Sequence, residues 1–113
     1  MIKRGDIWLC NLDDTSFGCE QSGRRPVIIL QNDTGNAVSP VTTVVPLTSR
    51  IKHFVPTHVR ISSKYTGAPI DSVAMVEQLR VVDKSRLQKK LGHIDDANIL
   101  QSLGNSIRKN LAI

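Results

Sequence analysis

The chain has 113 residues, of which 40% are hydrophobic and 22% are charged, a size and balance typical of one soluble domain with a single core. Its 15 Lys and Arg against 10 Asp and Glu give a formal net charge of +5. This charge favours polyanionic partners, because each neutralised phosphate releases counterions. No apolar run approaches the roughly 20 residues of a membrane span, and the basic start lacks the apolar segment of a signal peptide. We therefore expect residues 1–113 to form one domain of a cytoplasmic protein that does not associate with membranes.

The first half of the chain predicts three strands and one long loop. Residues 7–12 have strand composition, and residues 26–31 form a β-branched apolar run that is too short for a helix and suits a strand buried on both faces. Residues 41–48 form the third strand, in which Pro46 suggests an edge position or a bulge. The polar loop at 13–24 is long for a compact domain, which favours a functional role.

The second half predicts more strands and then a helix. Residues 58–61 alternate, residues 72–76 begin a long strand that continues over 78–82, and residues 87–92 form a last short strand. Beyond Asp95, a suitable N-cap, apolar residues recur at the spacing of an amphipathic helix, at Ile99, Leu100, Leu103, Ile107 and Leu111. Short strands followed by one C-terminal helix predict a mainly β (α+β) fold, in which a small, strongly curved sheet or barrel packs against the helix.

The cysteines and histidines give weak signals for metal or acid–base chemistry. Cys10 and Cys19 lack the second pair or neighbouring histidines of a zinc site, so we expect no metal and no cofactor, with Cys10 buried as a thiol and Cys19 in a polar loop. His53, His58 and His93 would suggest RNA cleavage by a histidine pair, but nothing in their spacing indicates that they converge. A surface or hydrogen-bonded role is favoured for each of them.

Arg25 is the strongest lead to function. It follows a polar loop and precedes Pro26, which keeps the preceding residue in extended backbone, and its guanidinium is always charged and shaped to bind a phosphate through two parallel N–H groups. Thr48 ends a strand and offers a hydroxyl that can donate to a phosphate oxygen. The alternatives are a surface salt bridge of Arg25 with Glu20 or Asp33, and a Thr48 hydroxyl that satisfies a turn.

Two further features are suited to contacts with nucleobases. Glu77 and Gln78 interrupt an apolar strand and can hydrogen-bond the edges of unstacked bases, or else they form the polar face of that strand. Phe17 in the long loop is an aromatic residue that can stack on a base, whereas Trp8 fits the core better.

Several short segments of the chain together resemble a known family. They are Arg4-Gly5-Asp6-Ile7-Trp8, Glu20-Gln21-Ser22-Gly23-Arg24-Arg25-Pro26-Val27, Gln31-Asn32-Asp33, Pro46-Leu47-Thr48, Pro56-Thr57-His58-Val59, Asp71-Ser72-Val73 and Glu77-Gln78-Leu79-Arg80. With this spacing from residue 2 to the C-terminal helix, the chain resembles the MazF/PemK (Kid) toxins of type II toxin–antitoxin pairs, in particular the branch found in Gram-positive bacteria.

The resemblance implies an SH3-like, strongly twisted small β-barrel of the CcdB/PemK type that works as a homodimer. It also implies a sequence-specific, metal-independent endoribonuclease (mRNA interferase), which cleaves single-stranded RNA through the RNA's own 2′-hydroxyl, leaves cyclic phosphate and 5′-hydroxyl ends, and arrests translation and growth. Its implied partner is a MazE-like antitoxin with an acidic tail.

The same resemblance assigns roles to individual residues. The family's catalytic arginine and threonine fall on Arg25 and Thr48. Its RNA-binding positions fall on Phe17, Glu20, Gln21, Ser72, Glu77 and Gln78. One departure is that Cys19 and Ser22 flank Glu20-Gln21, where glycine or other small residues are usual.

Two other functions remain open at this point. One is a non-catalytic SH3-like module that binds RNA or protein, and the other is a gyrase-poisoning toxin of the same fold. The pairing of Arg25 with Thr48 separates them from the nuclease, since a module that only binds does not need both groups.

Overall fold

The computed structural model describes residues 1–12, 20–51 and 55–113. In chain order its elements are β1 (Asp6–Asn11), β2 (Arg24–Ile29), α1 (Asp33–Val38), β3 (Val41–Thr48), β4 (Val59–Ile61), α2 (Ser63–Thr66), β5 (Ser72–Ala74), β6 (Arg80–Asp83), β7 (Leu87–His93) and α3 (Ala97–Leu111). No helix within these ranges has the length and apolar character needed to traverse a lipid bilayer.

The strands form one antiparallel sheet in the order β4-β5-β3-β2-β1-β7, and β6 joins it by pairing with β3. Strand β3 pairs with two different strands along one of its edges, while β2 occupies the other edge. Its first half, Val41–Val44, pairs with β6, and its end, Leu47 and Thr48, pairs with β5. The sheet consequently curls into a half-barrel, and the predicted mainly β fold with a C-terminal helix is confirmed.

Of the two alternatives suggested for Pro46, an edge position or a bulge, the edge position is wrong. β3 is an interior strand, and Pro46 lies opposite Val27 of β2 where the partner on the other side changes from β6 to β5. A proline cannot donate to a ladder, and at this position its carbonyl still accepts a hydrogen bond from the backbone N–H of Met75 at 3.0 Å. The missing donor therefore falls where the ladder is interrupted anyway.

Strand β2 begins two residues before the predicted start. Arg24 and Arg25 already pair with Asn11 and Cys10 of β1, whereas pairing with β3 starts only at Val27. Pro26 is thus paired on one side only, which is the position in which a strand tolerates proline. Arg25 is consequently held by the sheet itself and not by the loop alone.

The predicted long strand over residues 72–82 is also wrong. A 3-10 turn at Val76–Gln78 separates β5 from β6, and it is closed by hydrogen bonds from Gln78 N to Met75 O at 2.9 Å and from Leu79 N to Val76 O at 3.1 Å. The apolar run conceals this break because Met75 and Val76 are buried whether the backbone is extended or turned. Glu77 and Gln78 consequently leave the sheet.

The helices differ from the sequence expectations in detail. α3 is confirmed, but its N-cap is Asp96, whose side chain accepts from Asn98 N at 2.8 Å, and not Asp95. α2 was not predicted; it packs so closely on β7 that a Cβ atom at Gly92 would lie 1.9 Å from the carbonyl oxygen of Tyr65. Only glycine permits this contact.

Two apolar clusters fill the two faces of the sheet. The larger one includes Ile28 and Leu30, and α3 covers it through Leu103. The smaller one contains Val27, Ile29 and Cys10. Successive residues of β2 thus point into different clusters, which confirms a strand buried on both faces and a buried Cys10; Cys19 lies outside the described residues.

Candidate functional site

A groove of about 950 Å³ opens where the start of β2, the end of β3 and the 3-10 turn meet. Its lining residues are Glu20, Gln21, Ser22, Arg25, Thr48, Ser49, Arg50, Ile51, Val55, His58, Met75, Glu77 and Gln78. Residues separated by more than fifty positions in sequence are brought together here by the way β3 is shared between β2 and β5.

Arg25 projects into the groove from the first residues of β2. Its Nε donates to the backbone carbonyl of Ser22 at 3.0 Å, and the loop that contains Ser22 is closed by Leu12 N donating to Gly23 O at 2.8 Å. The bond at Nε fixes the plane of the guanidinium and leaves its two terminal nitrogens for a ligand. Asp33, one predicted salt-bridge partner, instead accepts from the backbone N–H of Arg4 at 2.7 Å, beyond the other end of β2.

Thr48 is the last residue of β3 and is 8% exposed. Its Oγ1 donates to Arg50 O at 3.1 Å and accepts from Arg50 N at 3.1 Å, which is the turn-satisfying role considered for it above. A hydroxyl has one donor and two acceptor sites. Thr48 can therefore keep the amide of Arg50 and rotate its own proton from the carbonyl of Arg50 to an oxygen of a ligand.

Gln78 ties the loop of residues 20–23 to the 3-10 turn. The backbone N–H of Gln21 donates to Gln78 Oε1 at 2.8 Å, and Gln78 Nε2 lies 3.8 Å from the sulfur of Met75. Gln21 and Gln78 are thereby brought together in the groove, and Glu20 lies beside them at an exposed position.

His58 lies in the groove together with Glu77. Nε2 of His58 is 2.9 Å from Oε2 of Glu77, and the two side chains are 7% and 28% exposed. A hydrogen-bonded role was favoured for this histidine, but its place in the groove was not foreseen. Its neighbours in sequence give no hint, because its partner is 19 positions away and reaches it only through the turn that interrupts the sheet.

Charge is distributed unevenly over the groove. Arg25 and Arg50 supply positive charge near the end of β3, whereas Glu20 and Glu77 supply carboxylates on the side of the loop and the 3-10 turn. Ile51, Val55 and Met75 add apolar surface, for which the sequence offers no signal that distinguishes them from core residues. Such a groove can hold a phosphate beside its arginines and hydrogen-bond donors beside its carboxylates.

The remaining predicted site residues lie elsewhere. Ser72 is 5% exposed and lies in β5 opposite Ile61, and not among the described residues that line the groove. Phe17, in the long loop, and His53 fall outside the described residues. His93 is the last residue of β7 and contacts Asp6, with 2.7 Å between Nδ1 and Oδ1.

This fold is shared with MazF proteins of known structure. MazF from Deinococcus radiodurans superimposes with a TM-score of 0.82 at 25% identity, over 99% of this chain and 97% of that one. A MazE–MazF structure from the same organism matches with a TM-score of 0.78 at 25% identity, over 99% of this chain and 96% of that one.

The sequence comparisons agree with the structural ones. Endoribonuclease EndoA from Bacillus subtilis (strain 168) is 40% identical over 114 residues, which is 100% of this chain and 97% of that protein. The model of the PemK-like, MazF-like toxins of type II toxin–antitoxin systems matches residues 3–109. The chain belongs to this family.

Proposed function

We propose that this chain is the toxin of a type II toxin–antitoxin pair and cleaves single-stranded RNA as a sequence-specific, metal-independent endoribonuclease, thereby arresting translation and growth. The observation that carries the proposal is that Arg25 and Thr48, predicted as the reacting pair, line the same groove. The 40% identity to a protein called an endoribonuclease supports it. Residues 1–113 act as one domain, in the cytoplasm, as a homodimer.

The reaction uses the RNA's own sugar. The 2′-hydroxyl loses its proton and attacks the adjacent phosphorus, the bond from phosphorus to the 5′-oxygen breaks, and the products carry a 2′,3′-cyclic phosphate and a 5′-hydroxyl. The terminal nitrogens of Arg25 neutralise the negative charge that grows on the phosphorane, and Thr48 donates to a non-bridging oxygen. Because DNA lacks the 2′-hydroxyl, the mechanism acts on RNA alone.

The proposed regulatory partner is an antitoxin with an acidic tail. The chain carries a net charge of +5, and Arg25 and Arg50 line the groove, so an acidic segment can occupy the place of the RNA backbone. One of the similar structures is a MazE–MazF complex. Co-purification with a small acidic protein that blocks cleavage tests this partnership.

The decisive experiment is digestion of a long transcript by the purified protein, with and without EDTA, followed by mapping of 5′-hydroxyl ends. We expect discrete cuts that EDTA does not affect and that disappear when the scissile nucleotide carries a 2′-deoxy sugar. Thr48→Val should lose most activity, whereas Thr48→Ser keeps the hydroxyl and should retain more of it. A binding module or a gyrase poison would leave the transcript intact, and cutting of the 2′-deoxy substrate would overturn the mechanism.

A further inference from the structure

The carboxylate of Glu77 has one partnered oxygen and one unpartnered oxygen. Oε2 is 2.9 Å from Nε2 of His58, while Oε1 is buried and has no hydrogen-bond partner among the described residues. Buried acceptors without a donor are uncommon in native proteins, because their lost hydration is not compensated. In a groove, such an acceptor indicates that the ligand brings the donor.

The charges that line the groove indicate which chemical group of a ligand supplies that donor. A phosphate is repelled by the Glu77 carboxylate and attracted by Arg25 and Arg50. The N–H groups of nucleobases are the donors that an RNA strand presents away from its backbone, and carboxylates accept hydrogen bonds from them. The free oxygen of Glu77 is therefore suited to a base and not to the backbone.

His58 determines where that oxygen points. The terminal torsion of a glutamate side chain is broad, so a carboxylate held by nothing else would present either oxygen in a range of directions. The hydrogen bond from Nε2 fixes Oε2, and thereby Oε1. With its side chain 7% exposed, His58 cannot reach far into the groove and acts through Glu77.

The backbone around His58 is itself fixed. His58 N donates to Val55 O at 3.0 Å, and Ser106 of α3 donates through its hydroxyl to Thr57 O. The backbone segment that carries His58 is therefore anchored to the C-terminal helix and leads directly into β4, which is the kind of support that a precisely aimed acceptor requires.

We propose that His58 is a positioning residue for base selection: it holds Glu77 Oε2 so that Oε1 accepts a hydrogen bond from an N–H group of one nucleobase in the groove. The inference rests on the proposed function, since it assigns a role within the same RNA site. The resemblance already implies Glu77 as an RNA-binding position, and the new element is His58, which sets the precision with which Glu77 reads a base.

The test is a cleavage map on a transcript pool in which each position around the cut site is randomised. We expect Glu77→Gln and His58→Leu to relax the preference for a base at one and the same position, by about ten- to a hundredfold in the ratio of preferred to other bases. His58→Gln, whose side-chain amide can still donate, should restore much of the preference at that position. Preferences at the other positions should persist.

His93→Leu is the matched control, because it breaks a histidine–carboxylate pair outside the groove lining. It should leave the base preferences as they are in the wild type, whatever it does to the melting temperature. If His58→Leu does not fold, His58→Ala takes its place in the map, since it also removes the donor at position 58 and is expected to relax the preference at the same position as Glu77→Gln.

Three results would overturn the inference while leaving the nuclease assignment intact. They are an unchanged preference in Glu77→Gln, relaxation at different positions in the two variants, or an equal loss of cutting at every site, which would assign Glu77 to proton transfer. Failure of the wild-type protein to cut RNA would instead refute the proposed function itself.

Discussion

Two histidine–carboxylate pairs lie in different parts of this fold and differ in how completely the carboxylate is bonded. Asp6, at the start of β1, is 0% exposed. Its Oδ1 contacts His93 at 2.7 Å and Lys90 at 3.5 Å, and its Oδ2 accepts from Lys3 N at 3.0 Å and Trp8 Nε1 at 3.2 Å. Glu77 has only His58 on one oxygen and no described partner on the other.

The difference distinguishes the structural role expected of the Asp6–His93 pair from the ligand-binding role proposed for the Glu77–His58 pair. Asp6 joins the N-terminal segment, β1 and β7, and every acceptor site that it offers the protein is used. Glu77 is left incomplete in a groove. A carboxylate that is fully bonded by its own chain contributes to stability, whereas one that lacks a donor is available to a ligand.

The largest expected effect is a loss of cleavage activity when a groove residue is changed, with no change in the free energy of unfolding. Arg25→Ala should reduce cleavage about 100- to 1,000-fold, or roughly 3–4 kcal/mol of transition-state stabilisation, because the phosphorane loses its main positive charge. The measurement is the initial rate on a defined RNA, together with a denaturant unfolding curve. Arg24→Ala is the matched control, since Arg24 lies outside the groove lining and should keep activity within a few-fold.

The second effect is a loss of stability when the Asp6–His93 pair is broken. Asp6→Ala should lower the free energy of unfolding by about 2–3 kcal/mol, because it leaves the donors of His93 and Trp8 without their acceptor. Cleavage per folded molecule should stay near the wild-type value. An unfolding midpoint equal to that of the wild type would show that Asp6 does not have the structural role assigned to it.

Lowering the pH should decrease the free energy of unfolding, in part through Asp6. Burial alone raises the pKa of Asp6, but the hydrogen bonds from His93, Trp8 and the amide of Lys3, with the charge of Lys90, outweigh it and hold the pKa below the ordinary value of an aspartate. A carboxyl with a lowered pKa in the folded state contributes stability above its unfolded value, and this stability is lost as the pH falls through the folded pKa.

Stability measured by denaturant unfolding should therefore fall as the pH drops below about 4, and it should fall less steeply in Asp6→Asn. Two other carboxyl groups, Asp33 and Asp83, remain in both proteins. Hydrogen bonds also lower their pKa values, mainly from the Arg4 amide for Asp33 and mainly from Ser85 for Asp83. An identical slope in the two proteins would contradict the assignment.

The smallest effect concerns neither pair. Gly104 lies inside α3, and the nearest atom to an added Cβ is on the Arg108 side chain at 4.0 Å, so Gly104→Ala should raise the free energy of unfolding by about 0.5–1 kcal/mol. Base preference and cleavage rate should not change. A change in base preference would mean that α3 shifts His58 through the contact of Ser106 with the backbone of Thr57. The groove would then depend on the packing of the C-terminal helix.

The sequence predicts the parts of this fold that depend on local pattern. The period of the C-terminal helix, the doubly buried β2 and the burial of Cys10 all follow from residues near one another in the chain. Arg25 and Thr48 could be singled out for a related reason, because Arg25 comes directly before an apolar strand and Thr48 ends one. Their presence in one groove depends on β3 pairing with both β2 and β5, which no local pattern encodes.

The sequence failed where backbone geometry and long-range contacts decide the outcome. Met75-Val76-Glu77-Gln78 is compatible with an extended strand, and only the hydrogen bond from Met75 to Pro46 and the closure of the 3-10 turn show otherwise. His58 was set aside for the same reason, since a histidine in a strand-like pattern does not reveal a partner 19 positions away.

The turn at Val76–Gln78 separates the strands that place Arg25 and Thr48 from the polar side chain that we propose selects the base. The chemistry and the choice of target can therefore change independently. β3 pairs with β5 before the turn and with β6 after it, so the strands that hold Arg25 and Thr48 keep their register whichever polar side chain occupies position 77. Under the role proposed for Glu77, exchanging this position between relatives should therefore change which messages are cut and leave the chemistry unaltered. Diverging target repertoires in such toxins need no new scaffold.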